Sequence, residues 1–358
     1  MAYSRKRGGP RLREIGKGTL LVLCSTTLFL LLMEIALRAF GLKEEMQFSM
    51  DTDEILHHRY SPNTMSRIKT PEFDTDYSIN SLGLRDKEYT IQKPLNTFRI
   101  LMVGDSFTEG CGVYSYAAFP KQLEARLQTQ HDSLGFEVIN GGVKSYSPLL
   151  EYLYLKNYGL QLSPDLVILN FDLSDVYDDV GYTALARFDE NGIPVGVSTE
   201  EFQHDVVSGP IATVKNWFKD NIWLYQSIRI RIAKISEARR RERDFLKGDF
   251  HRDKYAMLHE TYVDNDSNWA LTHKYILLIR DMLEKKGIDF WMTVYPYGVQ
   301  IHPKEWSSGR EYWQLKQDTV YSTWPQDSLA KWATYNGIRC INLCPNFKEL
   351  SKKVFPLY

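Results

Sequence analysis

The chain has 358 residues, 43% hydrophobic and 25% charged, a balance that supports a buried core and excludes wholesale disorder. Its formal net charge of −1 shows no basic surplus, so a nucleic-acid partner is not expected. Four cysteines are too few for a disulfide scaffold, and the length suits one large α/β domain with an insertion and an anchor.

Residues 1–18 hold Arg5, Lys6, Arg7, Arg11, Arg13 and Lys17 against Glu14 alone. The run that follows, Thr19 to Ala36, carries one charge, Glu34, and approaches the ~20 apolar residues that span a bilayer. It predicts a transmembrane helix over 19–40. A buried core helix or a cleaved signal peptide would share this composition, but Met33 to Phe40 has no small-x-small cleavage site and the basic tail suits an uncleaved anchor. The positive-inside rule then makes the N-terminus cytoplasmic and places everything after about Gly41 in the periplasm or outside the cell. Cys24 falls in the span and Cys111 has no assigned role. Cys340 and Cys344 either pair in an oxidising compartment or stay as buried thiols.

Residues 41–96 are polar with scattered aromatics and read as a stalk leading into the fold, most ordered at Asn80–Glu88. From 97 to 358, apolar β-branched runs alternate with helical patterns. Arg99–Val103 predicts a strand, Ala118–Gln130 a helix with Leu123 and Leu127 on one face, and Phe136–Ile139 a second strand. Leu149–Leu160 predicts a helix and Asp165–Phe171 a strand buried on both faces. Farther on, Ala270–Lys286 predicts a helix stopped by Gly287, Ile288–Tyr295 a strand, and Asp327–Tyr335 with Ile338–Leu343 repeats the pair. This alternation specifies a doubly wound three-layer α/β sandwich on a parallel sheet, with functional residues just after strands.

Between the third and fourth strands, about 182–268 is too long for a plain connection and reads as a helical insertion or lid. Its aromatic helix, with Trp217, Phe218, Trp223, Leu224 and Tyr225, runs into Arg239, Arg240, Arg241 and Arg243. A solvated face paired with Glu237, Glu242 and Asp244 is a simpler account of that cluster than a lipid or polymer contact.

Three polar segments follow the first three strands. Gly104-Asp105-Ser106-Phe107-Thr108-Glu109-Gly110 carries a hydroxyl at a strand-to-helix turn, where exposed N–H groups can hold an oxyanion; Ser106 as a simple helix cap is the alternative. Asn140-Gly141-Gly142-Val143-Lys144-Ser145-Tyr146-Ser147 comes second, and Asn170-Phe171-Asp172-Leu173-Ser174-Asp175-Val176 third, with Asp178 and Asp179 beyond. No histidine accompanies these carboxylates and strand-end aspartates commonly cap helices, so neither a metal nor any other cofactor is expected.

GDSFTEG resembles the first signature block of the SGNH (GDSL-like) hydrolases, which have a flavodoxin-like fold. The resemblance implies that Ser106 is the nucleophile and that its own amide donates to the oxyanion, with Gly104 and Asp105 in support. NGGVKS looks like the second block, in which Ser145 stands for the usual glycine and would offer its backbone N–H. DLSD looks like the third; Ser174 stands there for an asparagine whose amide completes the oxyanion hole, and Asp175 supports it. Asn80 to Asp86 also resembles a stretch that precedes GDSFT in membrane-anchored bacterial members.

The family's fourth block, an Asp-x-x-His supplying base and orienting acid, does not occur after Cys344. The expectation is that this block is missing and that the chain in this form is inactive. His302, just after the fourth strand, is a weak substitute base; His204, His251, His259 and His273 read as solvated, and His57 and His58 precede the fold. The resemblance implies a membrane-anchored serine ester hydrolase or O-acyltransferase working through an acyl-Ser106 intermediate on an acylated glycan or small ester. Ser145 and Ser174 leave open a catalytically silent module that binds a glycan or a partner.

Overall fold

A computed structural model describes residues 10–40, 50–69, 73–130, 133–199, 267–312 and 315–356, with short stretches between 214 and 236. They fall into two compact units. The first, Met1–Met46 with His204–Asp244, is built on helix α1 (Pro10–Ala39). Within it Ile15–Ala39, of hydropathy 2.4, is the one described helix long and apolar enough to cross a membrane. Glu34, the charge inside that run, accepts from Arg38 Nε at 2.7 Å and from the backbone N–H groups of Trp223 and Leu224 at 3.1 and 2.8 Å. A carboxylate at the start of the 223–229 helical stretch satisfies donors that have no partner inside a helix. Arg239 to Arg243, His204, His251 and His259 lie outside the described residues.

The second unit, Gln47–Gln203 with Phe245–Tyr358, contains the sheet. Its lead-in folds as two antiparallel pairs, β1 (Met50–Asp53) with β2 (His57–Tyr60) and β3 (Met65–Lys69) with β4 (Asp74–Ser78). Leu56, Tyr60, Ile79 and Leu84 of this lead-in join the main apolar core. A turn closed by Asn80, whose Oδ1 accepts from Leu82 and Leu84 N–H at 2.9 Å each, holds the Asn80–Glu88 stretch.

The alternating part follows as β5 (Thr97–Gly104), α2 (Ser106–Glu109), α3 (Phe119–Gln130), β6 (Gly135–Gly142), α4 (Pro148–Asn157), β7 (Leu166–Phe171) and α5 (Asp175–Leu185). After a small hairpin, β8 (Ala186–Phe188) with β9 (Pro194–Val197), come α6 (Ser267–Glu284), β10 (Asp289–Val294), α7 (Ser307–Tyr312), α8 (Trp324–Tyr335), β11 (Arg339–Asn342) and α9 (Cys344–Ser351). The five large strands are all parallel, in the order β6-β5-β7-β10-β11. That is the doubly wound three-layer α/β fold the alternation specifies, in its flavodoxin-like strand order.

Side chains alternate between two covered faces. Leu101, Val103, Val167 and Leu169 enter the main core, while Ile100, Met102, Leu166 and Ile168 pack toward Leu123 and Leu127 of α3. Both faces of β7 are therefore apolar, which is why its sequence reads as an unbroken hydrophobic run. Cys340 and Cys344 are free thiols whose burial raises them to about 11 and about 12.

Candidate active site

Strand order places the site. Successive connections leave β5 in opposite directions, so the crevice where ligands bind in such sheets opens at the C-terminal ends of β5 and β7. Gly104 ends β5 opposite Asn170 of β7, and each strand is followed at once by an aspartate, Asp105 and Asp172. The corner after β10 also reaches this edge: the Phe107 ring lies 5.4 Å from Tyr295 and 6.2 Å from Tyr297, and Tyr297 Oη donates to Asp172 Oδ1.

Two glycines allow close packing around α2. A Cβ on Gly104 would meet Thr108 Oγ1 at 2.1 Å, and one on Gly142 would meet the backbone N of Glu109 at 2.2 Å. Only a bare backbone lets the second loop lie against α2.

Ser106 is the first residue of α2 and is half-buried. The helix is capped by Asp105, whose Oδ1 accepts from Phe107 N–H at 2.8 Å. The cap reading of Ser106 is thereby overturned, since a neighbour performs that task. Among the described residues neither the hydroxyl nor the N–H of Ser106 is hydrogen-bonded. Ser145 also has an unbonded N–H, and Ser174, which precedes α5, makes no capping bond with its hydroxyl. The Ser174 N–H is taken, donating to Asp172 Oδ1 at 2.6 Å and to Tyr297 Oη at 3.1 Å.

Ser145 stands at φ 61°, the left-handed region that glycine enters freely. Two contacts hold it: Tyr182 Oη donates to Ser145 O at 2.9 Å, and His58 Nε2 lies 2.8 Å from Lys144 O. Because a Cβ there costs about 1–2 kcal/mol, Ser145→Gly is expected to raise stability by ~0.5–1 kcal/mol in chemical denaturation, while Ser145→Val lowers it. Equal midpoints for the wild type and both variants would contradict the strain.

His57 and His58 are not ahead of the fold. They lie in β2 at 5% and 8% exposure, with their Nδ1 atoms 2.9 Å apart and their backs to Tyr146 and Tyr182. Burial lowers both, His57 to about 4, so both are neutral at pH 7. Sequence reading missed this pair, since only tertiary packing brings residue 58 to residue 144. His273 is half-buried and stacks on Trp332 at 3.9 Å. His302 sits beyond β10 with Nδ1 accepting from Lys304 N–H at 3.2 Å and its ring 4.7 Å from Phe355; no hydrogen bond joins it to Ser106.

The strand-end aspartates are buried rather than facing water, although Asp105 is also a helix cap. Asp105, Asp172, Asp175 and Glu151 of α4 are 5%, 1%, 0% and 0% exposed. Desolvation raises Asp105, Asp175 and Glu151 well above the usual carboxylate range, and neighbouring carboxylates add to the effect.

Glu109, at the end of α2, is raised to about 7 by burial, against the opposing bond it accepts from Tyr60 Oη at 2.6 Å. In the unfolded chain this group ionises near pH 4.5, whereas the folded one keeps its proton to about 7. Its contribution to stability is therefore full below pH 4.5 and lost as pH rises to 7, amounting to about 3 kcal/mol at 1.36 kcal/mol per unit. Melting curves between pH 4.5 and 7.5 are expected to show this decline, and Glu109→Gln to flatten it. An equally steep decline in the variant would assign it to other groups.

No family model and no curated protein matches this chain. Among solved structures, a two-domain esterase active on acetylated mannans matches at 17% identity over 23% of this chain and 24% of its own, with a TM-score of 0.21. The match thus spans about a quarter of that esterase's length. A catalytic mutant of an acetylxylan esterase from Geobacillus stearothermophilus matches at 13% identity over 72% of this chain and 82% of its own, with a TM-score of 0.35. A lipolytic protein of the G-D-S-L family from Desulfitobacterium hafniense matches at 12% identity over 68% and 77%, with a TM-score of 0.30.

Proposed function

We propose that this chain is a membrane-anchored serine ester hydrolase or O-acyltransferase of the SGNH (GDSL-like) type, forming an acyl intermediate on Ser106 Oγ. The observation that carries the reading is a set of unbonded donors at adjacent corners, Ser106 N–H, Ser145 N–H and the Ser174 hydroxyl, beside a serine hydroxyl with no structural duty. In this reaction the hydroxyl adds to the ester carbonyl as its proton passes to a base, and the three donors hold the resulting oxyanion. The alcohol leaves with a proton, and water or a second alcohol then takes the acyl group. A hydroxyl at 174 in place of an amide weakens one donor, and losing one outright costs ~10²–10³ in rate. His302 is the proposed substitute base if an Asp-x-x-His takes no part.

In the same reading α1 is an uncleaved anchor with its N-terminus in the cytoplasm, and the α/β unit works in the periplasm or outside the cell on an acylated glycan or small ester. A fluorophosphonate probe tests the chemistry on the full product of the gene in detergent: covalent labelling mapped to Ser106 is expected. A folded protein that resists the probe yet binds glycan would instead favour the silent binding module.

A further inference from the structure

Charge burial beside Ser106 is larger than the ester chemistry uses. Asp105 and Asp172 each follow directly on adjacent parallel strands, and Asp175 opens α5 three residues later. One oxygen from each lies within 4.8 Å of the others. Backbone groups hold one oxygen of every member: Phe107 N–H on Asp105 Oδ1, Ser174 N–H on Asp172 Oδ1 and Asp172 N–H on Asp175 Oδ2.

The second observation is independent of that grouping. Glu151 on α4 is 0% exposed, and neither of its carboxylate oxygens has a hydrogen-bond partner among the described residues; the same holds for Asp175 Oδ1. Glu151 is the foremost neighbouring charge acting on Asp175, and Asp179 and then Asp105 are the charges acting on Glu151. No described Lys or Arg forms an ion pair with Asp105, Asp175 or Glu151. Three carboxyl groups gathered this closely, with a fourth buried unpaired on α4, need shared protons or a cation, because a buried carboxylate without a partner is strongly disfavoured.

We propose that Asp105, Asp172 and Asp175, supported by the buried carboxyl of Glu151, form a binding site for a hard divalent cation, Ca²⁺ by ligand number, at the C-terminal edge of β5 and β7. Ligand number decides between the two common candidates. Ca²⁺ takes about six to eight oxygens in a flexible shell and accepts several carboxylates, whereas Mg²⁺ usually keeps several waters and is held through one or two carboxylates. Three buried aspartates, each offering an oxygen within 4.8 Å of the others, suit the ion that accepts more protein oxygens. Backbone N–H groups on one oxygen of each carboxylate fix its orientation, as hydrogen bonds do around bound metals. Since Asp105 also caps α2, an ion here would stiffen the turn that carries Ser106.

The test uses the full chain in detergent, stripped with chelator and then titrated with CaCl₂, MgCl₂ or TbCl₃. About one Ca²⁺ per chain is expected by calorimetry, with a rise in melting temperature that Mg²⁺ does not equal. Tb³⁺ luminescence, sensitised through Tyr295 and Tyr297, should be displaced by Ca²⁺. Glu151→Gln, nearly isosteric, and Asp175→Asn should each weaken Ca²⁺ binding by about tenfold or more, and Ser106→Ala should leave it intact. Failure of the wild type to take up Ca²⁺ would overturn the site in favour of shared protons, as would binding that neither carboxylate variant alters. Neither readout depends on ester turnover, so this site and the Ser106 chemistry can fail separately.

Discussion

Replacing Ser106 by alanine is expected to lower p-nitrophenyl acetate turnover by about 10³-fold or more, toward the buffer rate, with no loss of stability. The effect is large because the hydroxyl is the atom that would carry the acyl group, and no donor or base can replace it. It is clean because the side chain does little else. Asp105 rather than Ser106 caps α2, and Ser106 Oγ has no hydrogen bond to lose among the described residues. A half-buried serine of that kind is expected to change unfolding free energy by no more than ~0.5 kcal/mol. Turnover should be measured on everything the gene encodes, with thermal melts in parallel. Equal rates in wild type and variant would end the esterase reading; a lost rate with a lowered melting temperature would leave only a folding defect.

The largest expected effect on stability comes from Arg85, in the stretch that leads into the fold. Its guanidinium is 1% exposed and stands 3.8 Å over the Tyr77 ring. Nη1 donates to Gly110 O at 2.6 Å and Glu109 O at 3.3 Å, and Nη2 to Val113 O at 2.6 Å and Asp76 O at 3.2 Å. One side chain thus satisfies carbonyls at the end of α2, in the loop beyond it and in β4. Arg85→Ala removes these donations, leaving Gly110 O and Glu109 O with only their bonds from Val113 N–H and Asn140 Nδ2, and leaves a cavity, for an expected loss of ~3–5 kcal/mol, or on the order of 10 °C in melting temperature. Arg85→Lys keeps the charge but not the planar fork, so it should recover only part. Because the contacts end on α2, turnover should fall together with stability. A melting temperature unchanged in Arg85→Ala would show that the lead-in is not needed to hold the nucleophile corner.

Periodicity made most of the fold legible. The unbroken apolar run of β7 and the Leu123 and Leu127 stripe of α3 each encode a burial pattern within a few neighbouring residues, and both were found where the pattern placed them. The corner bearing Ser106 was legible too, because a glycine, a capping aspartate and a helix start are all local. The lead-in was harder to read. Residues 50–89 have few long apolar runs, and their burial comes from single side chains, Leu56, Tyr60, Ile79 and Leu84, inserted into a core built elsewhere in the chain.

By itself the sequence determined the alternation of strands and helices, the apolar helix near the N-terminus and the serine at the first strand corner, since each depends on residues a few positions apart. Only the tertiary structure decided which corners meet, because strand order follows from how each crossover packs, and residues far apart in sequence, 125 positions for Tyr297 and Asp172, become neighbours only afterwards. The Tyr297 bond to Asp172, His58 against Lys144, the left-handed Ser145 and the gathering of Asp105, Asp172 and Asp175 all arise there. Carboxylates that look like ordinary polar residues in a linear chain become an unshielded charge once two neighbouring strands bring them together away from water.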